Sequence, residues 1–275
     1  MRTLMLHGHA TSAVIFKAQT GPFRSKLDKT FSFDFVDGPY PCAPPQALKS
    51  IISTAYAWTK SPDIDSVHDS VVWLADYMDK NGPYDCICCF SKAAVVVAAM
   101  LMDKSNEHLK TPGQPQLKSV IFMNGSIEYS LLEELGLSVS NEARDIKSQT
   151  EEQVKSRAAA LPNLATAFLR PGARDRHWND TSKLLHDPDK LPPSSDCFGL
   201  DFTALPPQEL INIPTVHIVG AKDPIWPSSI QLAHLCDPAK RSFYDHGGGH
   251  DLPRMPQVAT DIAKVFRELA EMGGG

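Results

Sequence analysis

The chain has 275 residues, 42% hydrophobic and 21% charged, with a formal net charge of −5. That is enough apolar sequence for one large α/β domain and too little charge for an intrinsically disordered chain. A basic excess that would neutralise nucleic-acid phosphates is missing, and the longest apolar run, Ala93 to Met102, is about half of the roughly 18 residues a bilayer span needs.

The opening MRTLMLHGHA does not read as a secretory leader, because His7-Gly8-His9 interrupts its short apolar stretch; a cytoplasmic location is expected. Six cysteines (Cys42, Cys86, Cys88, Cys89, Cys197, Cys236) in such a chain read as free thiols. Their spacing fits no zinc pattern.

Thr3 to Leu6 reads as a short strand ending at His7-Gly8, and Val14 to Asp28 as a helix that Gly21-Pro22 interrupts. Phe31 to Val36 alternates aromatic and polar residues as a strand does, and Asp37-Gly38-Pro39 stops it. Ile64 to Lys80 is the clearest helix, with Val67, Val71, Leu74, Ala75 and Met78 on one stripe and Gly82-Pro83 after it. Tyr84 to Phe90 is an apolar strand. Ser91 follows, and then Lys92 to Lys104 forms a helix apolar nearly all round and therefore buried. Ser119 to Met123 is another buried strand, ended by Asn124-Gly125-Ser126.

Strand alternating with helix predicts a mostly parallel sheet with helices on both faces. The rhythm breaks between residues 127 and 210. That stretch is polar and helix-prone over Glu151 to Leu161 and Leu164 to Arg170, then Pro-rich from Asp187 to Pro207. It reads as a lid inserted into a single domain covering residues 1–275. The sheet pattern resumes at Pro214 to Gly220 and Arg241 to Tyr244. The chain closes on a helix, Pro256 to Glu271, whose stripe is Val258, Ile262, Val265, Phe266 and Leu269.

Four loops follow strands and carry polar or glycine-rich residues, and in open α/β sheets such loops converge at the carboxyl ends of the strands. Cys89-Phe90-Ser91-Lys92-Ala93 has strand–turn–helix context with a serine at its apex, next to free helix N–H groups that stabilise an oxyanion. Taken alone it is equally a helix N-cap. Asp223, just past a strand, is suited to orienting a histidine, or is a plain turn residue. In Asp245-His246-Gly247-Gly248-Gly249-His250 either histidine suits proton shuttling. His7-Gly8-His9 is placed to supply a second backbone oxyanion donor. Each signal is weak alone. Together they give Ser…Asp…His, the chain order of the α/β-hydrolase triad.

These residues resemble the fungal serine hydrolases of the FSH family. Leu4-Met5-Leu6-His7-Gly8 is similar to the family's Leu-His-Gly opening, Phe35-Val36-Asp37-Gly38-Pro39 to its Asp-Ala-Pro loop, and Phe90-Ser91-Lys92-Ala93-Ala94 to its Gly-Phe-Ser-Gln-Gly-Ala elbow. Ile213-Pro214-Thr215-Val216-His217 through Gly220 and Asp223-Pro224 is similar to its Ile-Pro-Thr-x-His…Gly-x-x-Asp segment, and His246 with Gly248-Gly249-His250 to its His-Pro-Gly-Gly-His. The resemblance implies an α/β-hydrolase fold and an esterase or thioesterase that needs no metal or organic cofactor. Ser91 is its implied nucleophile, His250 its base and acid, and Asp223 its orienter, with the Lys92 and His9 N–H groups as oxyanion donors. Members that resemble polyketide-releasing thioesterases imply an acyl or polyketide substrate and an acyl-carrier domain of a polyketide synthase as partner. The long insertion suits a sizeable acyl pocket with Phe168, Trp178, Phe198 and Trp226 as substrate-binding aromatics; the alternative for each is packing or anchoring the lid. Cys89, Lys92 and Ala93 replace the family's Gly, Gln and Gly. A general short-chain carboxylesterase is a second reading, and that departure keeps a third open, a hydrolase-like binding protein or cyclase without hydrolytic activity.

Overall fold

The computed structural model describes residues 1–103, 117–160 and 178–272. Its centre is a six-stranded sheet. The strands are β1 (Arg2–Leu6), β2 (Ser32–Val36), β5 (Cys86–Phe90), β6 (Ser119–Met123), β7 (Thr215–Val219) and β8 (Arg241–Asp245), in the order β2-β1-β5-β6-β7-β8, and all neighbours are parallel. Period-2 alternation sorts their side chains into two cores. Leu4, Leu6, Ile87, Cys89, Val120, Phe122 and Val219 face one side; Met5, Cys86, Cys88, Ile121, Met123, Val216 and Ile218 face the other. Helices cover both faces, as a parallel sheet requires.

On the second face lie α1 (Ala13–Arg24) and α7 (Pro256–Met272), through Phe16, Phe23, Val258, Ile262, Phe266 and Leu269. Ser12 caps α1 by accepting from the Ile15 N–H, and Asp37 Oδ1 accepts from the Ala13 N–H. The expected interruption at Gly21-Pro22 does not occur. The buried stripe Phe16, Thr20, Phe23 carries the helix through the proline to Arg24, because packing outweighs the lost hydrogen bond. On the first face lie α2 (Ile64–Asn81) and α3 (Ala93–Met102), together with α6 (Trp226–Ala233). Nine of the ten residues of α3 are buried, which explains its all-round apolar sequence.

The sequence gives no sign of a small antiparallel pair, β3 (Tyr40–Cys42) with β4 (Ala55–Ala57), nor of α4 (Tyr129–Glu134) and α6. Between β6 and β7 the described residues hold no strand. The helix expected from Glu151 to Leu161 starts ten residues earlier, as α5 (Asn141–Ala160). Ser140 Oγ starts it by accepting from the Ala143 N–H at 3.0 Å. The Leu164 to Arg170 stretch, Phe168 included, lies outside the described residues.

The chain runs from β1 outward to β2 and later returns to the other side of β1 as β5. This reversal puts the switch point between β1 and β5, where a crevice opens at the carboxyl ends of the strands. The loops starting at His7 and Ser91 flank that point.

Candidate active site

Ser91 occupies a left-handed backbone conformation, φ 55°, between β5 and α3. Such a φ is strained for a non-glycine residue. It is held from both sides: the Ser91 N–H donates to Met123 O at 3.0 Å, and Ser91 O accepts from the Ala94 and Ser126 N–H groups. The turn projects Oγ away from the sheet edge. Cys89 and Ala93, beside it, are fully buried, so these small side chains fit where glycines were expected.

Ser91 Oγ lies 2.9 Å from His250 Nε2, and His250 Nδ1 lies 2.8 Å from Asp223 Oδ2. Asp223 is 1% exposed, and its other oxygen accepts from the Ile225 N–H at 3.0 Å. Burial alone lowers the imidazole pKa, but the charge and hydrogen bond of Asp223 outweigh it, so His250 is more basic than an ordinary histidine. Of the two histidines, then, His250 faces the serine. His246 is buried and bonded elsewhere, and burial pushes its pKa down to about 4.

The loop after β1 is braced from outside. His7 is wholly buried; its Nδ1 lies 2.6 Å from Gly8 O, and its Nε2 accepts from the Gly38 N–H at 3.0 Å. The accepting Nε2 makes the ring a neutral Nδ1–H tautomer, and burial, the largest influence on it, lowers its pKa. In a trans peptide the C=O and N–H point oppositely. Anchoring Gly8 O therefore turns the His9 N–H away from His7. Trp58 Nε1 donates to His7 O, and the Tyr56 N–H to Thr11 O. A Cβ on Gly8 would fall 2.8 Å from the Phe90 ring and 3.4 Å from Ser91 Cβ, so this glycine lets the loop reach the serine turn. Neither the Lys92 nor the His9 N–H makes a hydrogen bond among the described residues.

Lys92, the departure in the elbow, turns its side chain toward the insertion. Its Nζ lies 3.0 Å from Glu128 Oε1 and 3.9 Å from Glu151 Oε1; Lys147 of α5 meets the same carboxylates at 3.1 and 3.3 Å. Burial disfavours the Lys92 ammonium, yet the two glutamates raise its pKa on balance. Sequence reasoning missed this network, because its members are spread over the elbow, α4's approach and α5.

It also missed Asn124. This residue, at φ 44° after β6, donates from Nδ2 to Gly249 O at 2.9 Å, and its Oδ1 lies 3.0 Å from His246 Nε2. A Cβ on Gly220 would fall 2.4 Å from Gly248 O, so bare backbone lets the acid and histidine loops touch. Among the aromatics, Trp226 is buried, with its ring stacked on His186 and edge-on to Phe198; Trp178 is buried against Gly249. No cluster of potential metal ligands exists among the described residues.

A mostly parallel sheet flanked by helices, with a serine on a strained strand-to-helix turn, defines an α/β-hydrolase. Solved structures share the fold. The Arabidopsis thaliana protein SOBER1 aligns with a TM-score of 0.52 at 13% identity over 98% of this chain and 99% of its own, and EstE5 at 0.51 and 13% over 100% and 77%. The serine hydrolase (FSH1) family model matches residues 1–262, and the chain belongs to that family. Its relatives include esterase FPY3 of Fusarium mangiferae, 26% identical over 98% of this chain and 96% of its own length. Hydrolase FUB4 of Fusarium oxysporum f. sp. lycopersici is 24% identical over 98% of both. Esterase alnB of Emericella nidulans is 25% identical over 92% and 90%. The protein is thus a serine hydrolase by family.

Proposed function

We propose that the protein cleaves an ester or thioester through a covalent acyl-enzyme on Ser91. The observation that carries this reading is the unbroken chain from Ser91 Oγ through His250 to Asp223, at 2.9 and 2.8 Å. His250 Nε2 takes the Ser91 proton as Oγ attacks the carbonyl carbon. Asp223 fixes the tautomer with Nε2 unprotonated and stabilises the imidazolium that forms. The Lys92 and His9 N–H groups receive the oxyanion, whose stabilisation by fixed backbone donors is a large part of such catalysis. The tetrahedral adduct collapses, the C–O or C–S bond breaks, and the leaving alcohol or thiol takes the proton from His250. Water then attacks the acyl-enzyme by the same route and frees Ser91.

The substrate we propose is an acyl or polyketide chain, released or processed in fungal secondary metabolism, with a carrier domain of a polyketide synthase as its donor when the bond is a thioester. The insertion beside the elbow supports it, as do Trp178, Phe198 and Trp226 around the acid and histidine loops, where we place the acyl group. Six free thiols fit a reducing compartment, so we place the protein in the cytoplasm; no helix among the described residues is long and apolar enough to cross a membrane.

The test is a series of p-nitrophenyl esters and N-acetylcysteamine thioesters from two to twelve carbons, with intact-mass detection of the acylated protein. Longer acyl groups raise kcat/KM under this reading, and an acyl adduct accumulates on Ser91. A preference for acetate points instead to a general carboxylesterase, and absence of any adduct or turnover to a non-hydrolytic protein.

A further inference from the structure

The turn that carries His250 has three consecutive glycines, Gly247-Gly248-Gly249, and so no side chains of its own to hold it in place. Such backbone is conformationally permissive. Yet His250 must meet Ser91 and Asp223 at once, on opposite ring nitrogens. From below, the turn is tied to the sheet: Asn124 Nδ2 donates to Gly249 O, and Asn124 Oδ1 pairs with His246 Nε2. From the other side it meets Trp178, a residue of the insertion that is 6% exposed. A Cβ on Gly249 would fall 1.9 Å from Trp178 Cδ2 and 2.2 Å from its Cγ, so the indole is in contact with the backbone just before His250. Gly249 does not need a positive φ. The nearest obstacles to a side chain there are all atoms of that one ring.

The indole is in turn held by its surroundings. The Arg157 guanidinium of α5 sits 5.5 Å over the ring and donates to Asp180 O at 2.6 Å. Gln153 of α5 donates to Lys183 O at 2.9 Å, and Lys222 of the acid loop to Asn179 Oδ1 at 3.0 Å. The segment bearing Trp178 is therefore fastened both to α5 and to the loop of Asp223.

We infer that Trp178 is a positioning residue for His250: its indole presses Gly249 against Asn124 and so sets the imidazole between Ser91 and Asp223. This inference rests on the reading of Ser91 and His250 as nucleophile and base. It makes the insertion part of the catalytic geometry, not merely a cover over the substrate. A misplacement of about 1 Å in a reacting group costs about 10²-fold in rate, and that sets the expected size of the effect.

The test uses the full-length protein, with p-nitrophenyl acetate turnover and the rate of Ser91 modification by a fluorophosphonate. Acetate is too small to need an aromatic wall. Trp178→Ala is expected to lower kcat and the modification rate by about 10²-fold with KM for acetate unchanged, and Trp178→Phe to recover much of the loss. Gly249→Ala is expected to be as damaging as Trp178→Ala. The double variant should be no worse than Trp178→Ala alone, because the methyl group then has no ring to meet. Should Trp178→Ala not fold, Gly249→Ala compared with Trp178→Phe/Gly249→Ala carries the same test: the smaller ring must restore part of the rate. A Trp178→Ala protein with wild-type kcat overturns the inference, as does a loss confined to KM or additive losses in the double variant. A wild-type protein that does not label at Ser91 removes the underlying reading as well, which separates the two failures.

Discussion

Asp223→Asn is the substitution whose consequence the geometry defines most closely. Asp223 Oδ1 accepts from the Ile225 N–H while Oδ2 meets His250 Nδ1. In the variant the carboxamide oxygen keeps the backbone bond, so its NH2 faces Nδ1. That nitrogen must then accept, which moves the ring proton to Nε2 and aims it at Ser91 Oγ, the tautomer that cannot take a proton from serine. The imidazolium formed during attack also loses its counter-charge. At an effective dielectric of about 20, two charges about 4 Å apart interact by about 4 kcal/mol, which is about three decades in rate. With the tautomer error added, kcat is expected to fall by about 10³ to 10⁴, with little change in Tm because the carboxamide fills the same space. The pH profile moves too. In the wild type Asp223 outweighs burial and raises the His250 pKa. Without the carboxylate, burial dominates, the pKa falls, and the acid limb of the kcat profile shifts to lower pH. Steady-state kinetics on p-nitrophenyl acetate from pH 4 to pH 9, with Ser91→Ala as the baseline, measures both. A loss under tenfold, or an acid limb that stays put, refutes the reasoning.

Two further substitutions probe groups outside the reacting atoms. His217 is stacked on Phe122 and tilted against Phe243, with neither ring nitrogen partnered among the described residues, and burial pushes its pKa down to about 3. Below pH 6.5 the unfolded chain therefore binds a proton that the folded one refuses. Stability falls as pH drops from about 6.5 toward 3, by up to about 1.36 kcal/mol per pH unit from this group. His217→Leu should flatten that slope and add about 1 kcal/mol at pH 7 by removing an unpaired polar group; equal urea midpoint shifts between pH 7 and pH 5 in both proteins would contradict it. Lys92→Gln tests whether the departure in the elbow matters chemically. In the proposed mechanism the oxyanion donor is the backbone N–H, so kcat should stay within about threefold. Stability should drop by about 1–2 kcal/mol, less than for a fully unpaired buried charge, because Glu128 keeps Lys147. A hundredfold loss of kcat would assign the ammonium a part in the reaction.

Much of the fold is legible in the sequence because burial on both faces forces a pattern. Met5, Cys88, Ile121 and Ile218 lie on one face and Leu6, Cys89 and Phe122 on the other, and only a doubly covered strand makes such runs apolar throughout. Each loop of the candidate site follows a strand, so Ser91, Asp223 and a histidine of the turn at 245–250 can be picked out by position and chain order. Position does not choose between His246 and His250; the family resemblance does, and the physical basis of that choice is not written in the local sequence. It depends on which ring meets Asn124 and which meets Ser91, contacts across more than a hundred residues. The same holds for the brace of His7 by Gly38, for the Lys92–Glu128–Lys147 network, and for Trp178 on Gly249. The β3–β4 pair has three-residue strands, too short to show a period. The first turns of α5 go unnoticed in the sequence because their apolar content is low, and its ion pair with the elbow, Lys92 to Glu151, leaves no periodic trace.

The most direct measurement is peptide mapping by mass spectrometry after brief exposure of the wild-type protein to a fluorophosphonate. A single phosphonyl group on Ser91, absent from Ser91→Ala and formed far more slowly in His250→Ala, is the predicted result. A protein that stays unmodified, or that takes the label on another residue, contradicts the claim that His250 makes this hydroxyl a nucleophile.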